Sequence, residues 1–269
     1  MSKFLRILES IFFVLIAILM ILPLAYMTLY SFQESYSPFL FSLDLSKYTL
    51  KNYINLFSMK SVAFWIRNSF FISIVGVLWT LVSCILAAYA FVKKKFRGKD
   101  IIYYLFVMSM SIPFTATVVP QWLIFGKIGW INTFWPLILP IPNFLAVLLI
   151  RQAINNIPKS LFESAQIDGI SDFKILVKVV IPLIKPIIIT ISIIFFARSW
   201  NSFLWPLIIS NTDLTKTLPV GLAGLVGTHT VNYGMVMAGS TISFMPPLIV
   251  YILLQKYYIN GIAFTGLKG

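Results

Sequence analysis

Six stretches of this chain are each long and apolar enough to cross a bilayer as a helix, and nothing else in the sequence restricts the fold as tightly. A hydrocarbon core about 30 Å thick takes about 20 helical residues at about 1.5 Å each. The stretches cover residues 8–30, 64–92, 101–125, 131–150, 187–210 and 234–259. Lipid offers backbone N–H and C=O groups no partner, so such segments must pair their own backbone as helices. Only 11% of the residues are charged and 59% are hydrophobic, whereas a soluble domain is about 25% charged, which excludes a soluble enzyme, a disordered tail and a secreted disulfide scaffold. The expectation is an all-α, polytopic membrane protein, one transmembrane domain over residues 1–269 with six spans. No connection is long enough for a separate soluble catalytic domain.

The net charge of +13 does not imply nucleic acid, because membrane chains collect Lys and Arg on the cytoplasmic side. With the N-terminus inside, 14 basic residues fall on the inner side and 6 on the outer, leaving Arg198 within the fifth span. Both termini are therefore expected in the cytoplasm. Lys3 and Arg6 precede an apolar run as in a signal peptide. That run is too long and lacks a small-residue cleavage site, so it reads as an uncleaved first helix. The basic turn Lys93, Lys94, Lys95, Arg97 and Lys99 reads as a topology anchor against anionic headgroups. The outer segment 31–63 predicts one or two short interfacial helices, and Trp65, Trp130 and Trp135 near span ends read as an aromatic belt.

Single residues exclude other classes. Cys84 lies alone in the second span and reads as packing, and His229 stands on an outer loop without a second ligand, so no metal site is expected. All eight acids, Glu9, Glu34, Asp44, Asp100, Glu163, Asp168, Asp172 and Asp213, fall at span ends or in loops. An ion-coupled secondary transporter wants midplane acids or broken helices, and an intramembrane enzyme wants a cluster of His, Cys or carboxylate. Prolines do crowd the spans: Pro113, Pro120, Pro136, Pro140, Pro142, Pro206, Pro246 and Pro247. Each removes a donor and loosens a turn, which suits a mobile bundle more than a rigid anchor.

The only long inner segment, residues 151–185, reads as a small soluble module. Pro158 and Ser160 signal a helix start, with Glu163 at capping-box spacing from Ser160. Leu161, Phe162, Ala165 and Ile167 supply an apolar side, Gly169 is the stop, and Ser171 or Asp172 caps a second helix carrying Ile175, Leu176, Val179 and Val180. A short amphipathic helix at the membrane face offers a knob for a partner's groove.

Here the chain resembles a known family. Glu163-Ser164-Ala165, three residues, Gly169, nine residues, Val179, one residue, Ile181 and Pro182 match the E-A-A, G, I, L-P loop of ABC importer permeases, with Ser164, Val179 and Ile181 as small departures. Arg67-Asn68-Ser69, Ala88-Tyr89-Ala90-Phe91, Gly129-Trp130-Ile131-Asn132-Thr133, Trp200-Asn201-Ser202-Phe203, Leu218-Pro219-Val220-Gly221 and Lys268-Gly269 narrow it to the carbohydrate importers of the maltose and glycerol-phosphate type. It looks like the shorter, six-span second permease chain. The resemblance implies a bacterial or archaeal cytoplasmic membrane, a second permease subunit, two ATPase subunits that bind ATP and Mg, and an extracytoplasmic substrate-binding protein. It also implies a coupling helix between spans four and five that holds Glu163, Ser164, Ala165, Asp168 and Gly169, followed by Pro182. The chain itself has no G-x-x-x-x-G-K-[ST] loop, so no cofactor and no catalysis are expected of it.

Candidate cargo residues centre on Arg198, about twelve residues into the fifth span, where an arginine costs at least about 2.5 kcal/mol and must face protein or water. Trp200, Asn201 and Trp205 offer the ring faces and amide that sugars use, and Gln121, Asn143 and Ser199 are weaker candidates. The competing reading pairs Arg198 with a proline-freed carbonyl and Asn201 with a neighbouring helix. Cargo other than sugar, such as a phosphorylated polyol, peptide or polyamine, stays open at this level, and an arginine suits an anionic group.

Overall fold

The computed structural model describes residues 3–37, 41–140, 143–227 and 231–266, with side chains over 5–37, 41–140, 143–226 and 231–256. Pro142, His229, Lys268 and Gly269 lie outside the described residues. Apart from one isolated bridge between Gln33 and Tyr48, the regular elements among the described residues are helical.

In chain order, α1 (Lys3–Tyr30) is followed by a single 3-10 turn at Leu45–Lys47, then α2 (Lys51–Ser58) and the long α3 (Lys60–Lys93). After the basic turn come α4 (Lys99–Ser109), α5 (Phe114–Lys127), the four-residue α6 (Trp135–Ile138) and α7 (Phe144–Asn155). The loop module holds α8 (Lys159–Ile167), α9 (Asp172–Ile175), a π-helical turn Leu176–Val180 and α10 (Ile181–Leu183). Then follow α11 (Lys185–Trp200), α12 (Leu204–Ile209), α13 (Leu218–Gly224) and α14 (Tyr233–Gly266).

Three of the apolar stretches are single helices long enough to span: Leu5–Tyr30, Lys60–Lys93 and Tyr233–Lys256. The other three are broken, and prolines account for the breaks. The stretch 101–125 is α4 and α5 meeting at 106°, because Pro113 drives the preceding residue out of helical angles and itself stands extended at the N-cap of α5. The stretch 131–150 reduces to α6 and α7, with Pro140 just past the end of α6, and α7 runs on to Asn155 instead of ending at Ile150. The stretch 187–210 stops at Trp200 and restarts at Leu204, since a proline at 206 would clash with the carbonyl of residue 202 in a continuous helix. Pro120 and the Pro246-Pro247 pair, by contrast, stay inside helices.

The chain divides into two compact units. The first comprises residues 1–64 and 218–246. Its centre is Asn52, fully buried on α2, whose Nδ2 donates to the Ser31 and Gln33 carbonyls at 2.9 Å each, while Asn232 Nδ2 donates to its Oδ1 at 3.4 Å. Gly234 makes this possible, for a Cβ there would lie 2.0 Å from the Gln33 carbonyl oxygen. The short helices expected in segment 31–63 are the Leu45–Lys47 turn and α2.

The second unit comprises residues 65–217 and 247–269. Its core gathers Ile72 of α3, Val118 of α5, Leu137 and Ile138 of α6, and Trp205 and Ile209 of α12. The turn after α5 carries two left-handed residues, Gly129 and Asn132, and is pinned to α12 by Asn132 N–H donating to the Ile209 carbonyl at 3.0 Å. Asn68 donates to the Leu214 and Lys216 carbonyls at 2.9 Å each, which closes the end of α3 over that connection. Cys84 is buried, its thiol 3.9 Å from the Asn143 carbonyl.

Candidate functional site

The loop module is built by punctuation in the sequence. Pro158 takes the N-cap of α8 without any side-chain hydrogen bond. The expected Ser160–Glu163 capping box is not formed, because the helix has already started by Lys159; the Ser160 carbonyl instead accepts from Ser164 Oγ at 2.9 Å. Gly169 ends the helix as expected, at φ 69°. Its N–H donates to the Gln166 carbonyl at 3.0 Å and the Ile170 N–H to the Ala165 carbonyl at 3.1 Å, the paired bonds of a Schellman stop. Ser171 occupies the N-cap of α9, again without a side-chain bond. Further on, the Ile181 N–H reaches the Leu176 carbonyl five residues back, and this widening of the ladder comes just before Pro182, which has no N–H to give the Lys178 carbonyl.

Burial separates the two faces of α8. Phe162 and Ala165, three apart on one face, are buried, whereas Leu161 is 44% and Ile167 86% exposed. The four apolar residues therefore do not form one side. Glu163, Ser164, Asp168, Gly169 and Pro182 are all exposed, and Phe173 of α9 is exposed as well. The free face thus mixes two carboxylates with large apolar side chains.

The inner face is held by residues that the sequence reading placed elsewhere. Lys93 Nζ lies 3.0 Å from the centroid of the Phe162 ring, and Lys94 Nζ bonds the Asp172 carboxylate. Tyr89 donates to Asp172 Oδ1 at 3.3 Å. The Lys94 hydrogen bond holds the Asp172 carboxyl below its ordinary value; burial opposes it, and the Lys94 charge and the Tyr89 hydroxyl add to the lowering. The basic turn therefore touches the loop directly, besides any anchoring role. Nothing in the local pattern signals this, because Lys94 and Asp172 are 78 residues apart.

The cargo candidates are dispersed. Arg198 is exposed on α11, its guanidinium 5.4 Å from the Phe195 ring, and it makes no ion pair among the described residues. Asn201 is exposed at the α11–α12 break, and Ser199 is half-buried beside it. Trp200 is buried between Phe70, at 4.7 Å, and Phe196, at 5.8 Å. Trp205 is buried in the core with its indole N–H on the Pro136 carbonyl at 2.8 Å. Gln121 Nε2 donates to Thr117 Oγ1 at 2.8 Å while its Oε1 is buried without a hydrogen-bond partner among the described residues. Asn143 caps α7 by accepting from the Leu145 N–H at 2.8 Å. Arg198 and Asn201 are the two candidates that present polar groups outward.

Long apolar helices, several stretches of them broken at prolines, with a short helical module carried on a loop, are the features of a helical membrane protein. Residues 80–263 match the family described as binding-protein-dependent transport system inner membrane component, and the chain belongs to that family. It is 34% identical, over 100% of its length and 98% of the relative's, to the arabinooligosaccharides transport system permease protein AraQ of Halalkalibacterium halodurans. It is 33% identical to the trehalose/maltose transport system permease protein MalG of Thermococcus litoralis, over 98% of this chain and 97% of that one. Its fold is shared with a chain from a bacterial ABC transporter involved in the import of the acidic polysaccharide alginate, at a TM-score of 0.84 and 23% identity, covering 96% of this chain and 99% of that one.

Proposed function

We infer that this chain is the shorter permease subunit of an ATP-driven importer for sugars or oligosaccharides, converting closure of partner ATPases into alternating access. The observation that carries the reading is the outward face of α8. Glu163, Ser164, Asp168 and Gly169, with Leu161 and Ile167, stand free on a helix whose other face is locked down through Phe162 and Ala165. The transport systems of its relatives AraQ and MalG carry oligosaccharides and disaccharides, which supports a sugar cargo.

In this reading six spans bring both termini to the cytoplasm, the broken stretches counting as bent spans, and the protein sits in the cytoplasmic membrane of a bacterium or archaeon. A second permease chain completes the pathway, two ATPase subunits dock under α8 and its counterpart, and a binding protein delivers cargo from outside. ATP and Mg belong to the ATPases. Arg198, which has no carboxylate partner among the described residues, favours as a second reading a cargo with an anionic group.

The test is reconstitution of the chain with its second permease, ATPases and binding protein in proteoliposomes, with labelled arabino- and malto-oligosaccharides outside. Uptake should require internal ATP and the binding protein. Uptake that an ion gradient drives without ATP would overturn the reading.

A further inference from the structure

The basic turn after α3 holds the loop module at two points. Lys93 caps the ring of Phe162, the residue that buries the inner face of α8. Lys94 bonds Asp172, in the first turn of α9, and Tyr89, one turn earlier on α3, donates to the same carboxylate. One contact thus falls before the Gly169 turn and one after it, so the corner of the module is held on both sides. Beneath it Ile175, Leu176 and Val180 are buried, with Val180 0% exposed. A single surface ion pair would be worth little. Here an ion pair, a hydroxyl and a cation over a ring act on one rigid corner, and side chains in one network couple more strongly than isolated pairs.

We propose that Lys93, Lys94, Tyr89, Phe162 and Asp172 form a clasp that stays closed through the transport cycle and makes the loop module move as one body with the inner end of α3. Lys94 and Asp172 are positioning residues, since they touch neither cargo nor the outward face of α8. The role rests on the proposed function: a push on α8 reaches a spanning helix through side chains as well as through the chain that leads into α11. Helix α3 is a suited receiver. It is one unbroken helix of 34 residues, and its most apolar window is 39% buried within the chain, against 0% for α1. The α11 route, by contrast, is interrupted by a π-helical turn and a 78° bend.

The experiment uses Lys94→Glu, Asp172→Lys and the two combined, in the chain assembled with its partner subunits in proteoliposomes. Sugar uptake is read per ATP hydrolysed. Each single reversal should lower that ratio about fivefold or more while the ATPases still co-purify, and the swap should bring it back to within about twofold of the parent. Parental ratios in both single variants, or a swap no better than they are, overturn the proposal. A second arm works whether or not the reversals fold. Lys94→Cys with Asp172→Cys, in a Cys84→Ser background, is treated in membranes with a flexible bis-maleimide. The cross-link should form, and uptake should remain near that of the untreated variant. Failure to cross-link, or uptake abolished by the cross-link, shows a clasp that is absent or must open. If the parent itself shows no ATP-dependent uptake, the proposed function fails, while cross-link formation still decides whether the clasp exists.

Discussion

The indole Nε1 of Trp205 donates to the carbonyl of Pro136 at 2.8 Å, across 69 residues of chain. In a continuing helix that carbonyl would accept from the N–H of residue 140, and residue 140 is a proline. The two halves of a broken stretch are therefore reconciled by a side chain of another element. Trp205 and Ile209 of α12 fill the core beside Leu137 and Ile138 of α6, so the bond sits where water does not compete.

Trp205→Phe should accordingly destabilise the protein by about 1–3 kcal/mol, the cost of leaving a buried carbonyl unpaired. The ring still fills most of the core, so little of the loss comes from packing. Thermal unfolding in detergent measures it, and a variant as stable as the parent would show that the carbonyl finds another donor.

Gly169 stops α8 at φ 69°, and a Cβ there would meet nothing within 4 Å. The cost of a side chain is therefore one of backbone angle alone, about 1–2 kcal/mol for alanine and less for asparagine, which tolerates that region. Gly169→Asn should keep transport nearer the parent than Gly169→Ala. Gly169→Asp, which adds a charge to the exposed face, should leave the chain in the membrane and uncouple uptake from ATP hydrolysis, as should Glu163→Lys. Co-purification of the ATPase and uptake assays read both effects.

The Asp172 carboxylate titrates below its ordinary 3.8 because Lys94 bonds the charged form. A lowered value in the folded state means a stabilisation fully present above 3.8 and lost as pH falls through the lowered value. A fluorophore on Ser171→Cys in a Cys84→Ser background should give a constant signal from about pH 8 to about pH 5 and change only in stronger acid. Asp172→Asn should remove that acid transition and show the open signal throughout.

The excess of basic residues on one side predicts which loops are cytoplasmic. Cysteines placed singly at positions 95 and 171, in a Cys84→Ser background, should label only from the cytoplasm, and those at positions 48 and 215 only from outside. Labelling of position 171 from outside would overturn the arrangement of the whole chain.

Arg198 is exposed on α11, its guanidinium 5.4 Å from the Phe195 ring, with no ion pair among the described residues. Under the proposed function it is placed to meet cargo or the second permease chain. Arg198→Gln should alter ATP hydrolysis without cargo by about fivefold or more, the lower end of ordinary coupling energies, if it latches one state. Normal basal hydrolysis with uptake weakened for some cargoes only would assign it to cargo instead, and no change in either would make it a packing residue.

The sequence by itself determined the membrane class, the helical fold, the stop of α8 at Gly169 and the family. Each rests on a local property: apolar length, the conformational freedom of one glycine, or the spacing of residues within one loop. The tertiary structure decided which prolines break a helix. Pro120, Pro246 and Pro247 stay inside α5 and α14, while Pro113 and Pro140 stand at breaks, although each removes one backbone donor. At the break before Pro140 the freed Pro136 carbonyl is taken up by Trp205, a residue far along the chain. Tertiary structure also decided that Trp200 and Trp205 are buried while Arg198 and Asn201 are exposed, and that Lys93 and Lys94 grip the loop. Those pairings join residues many turns apart in the chain, and a hydrophobic pattern carries no information about which of several basic residues the fold brings to one carboxylate.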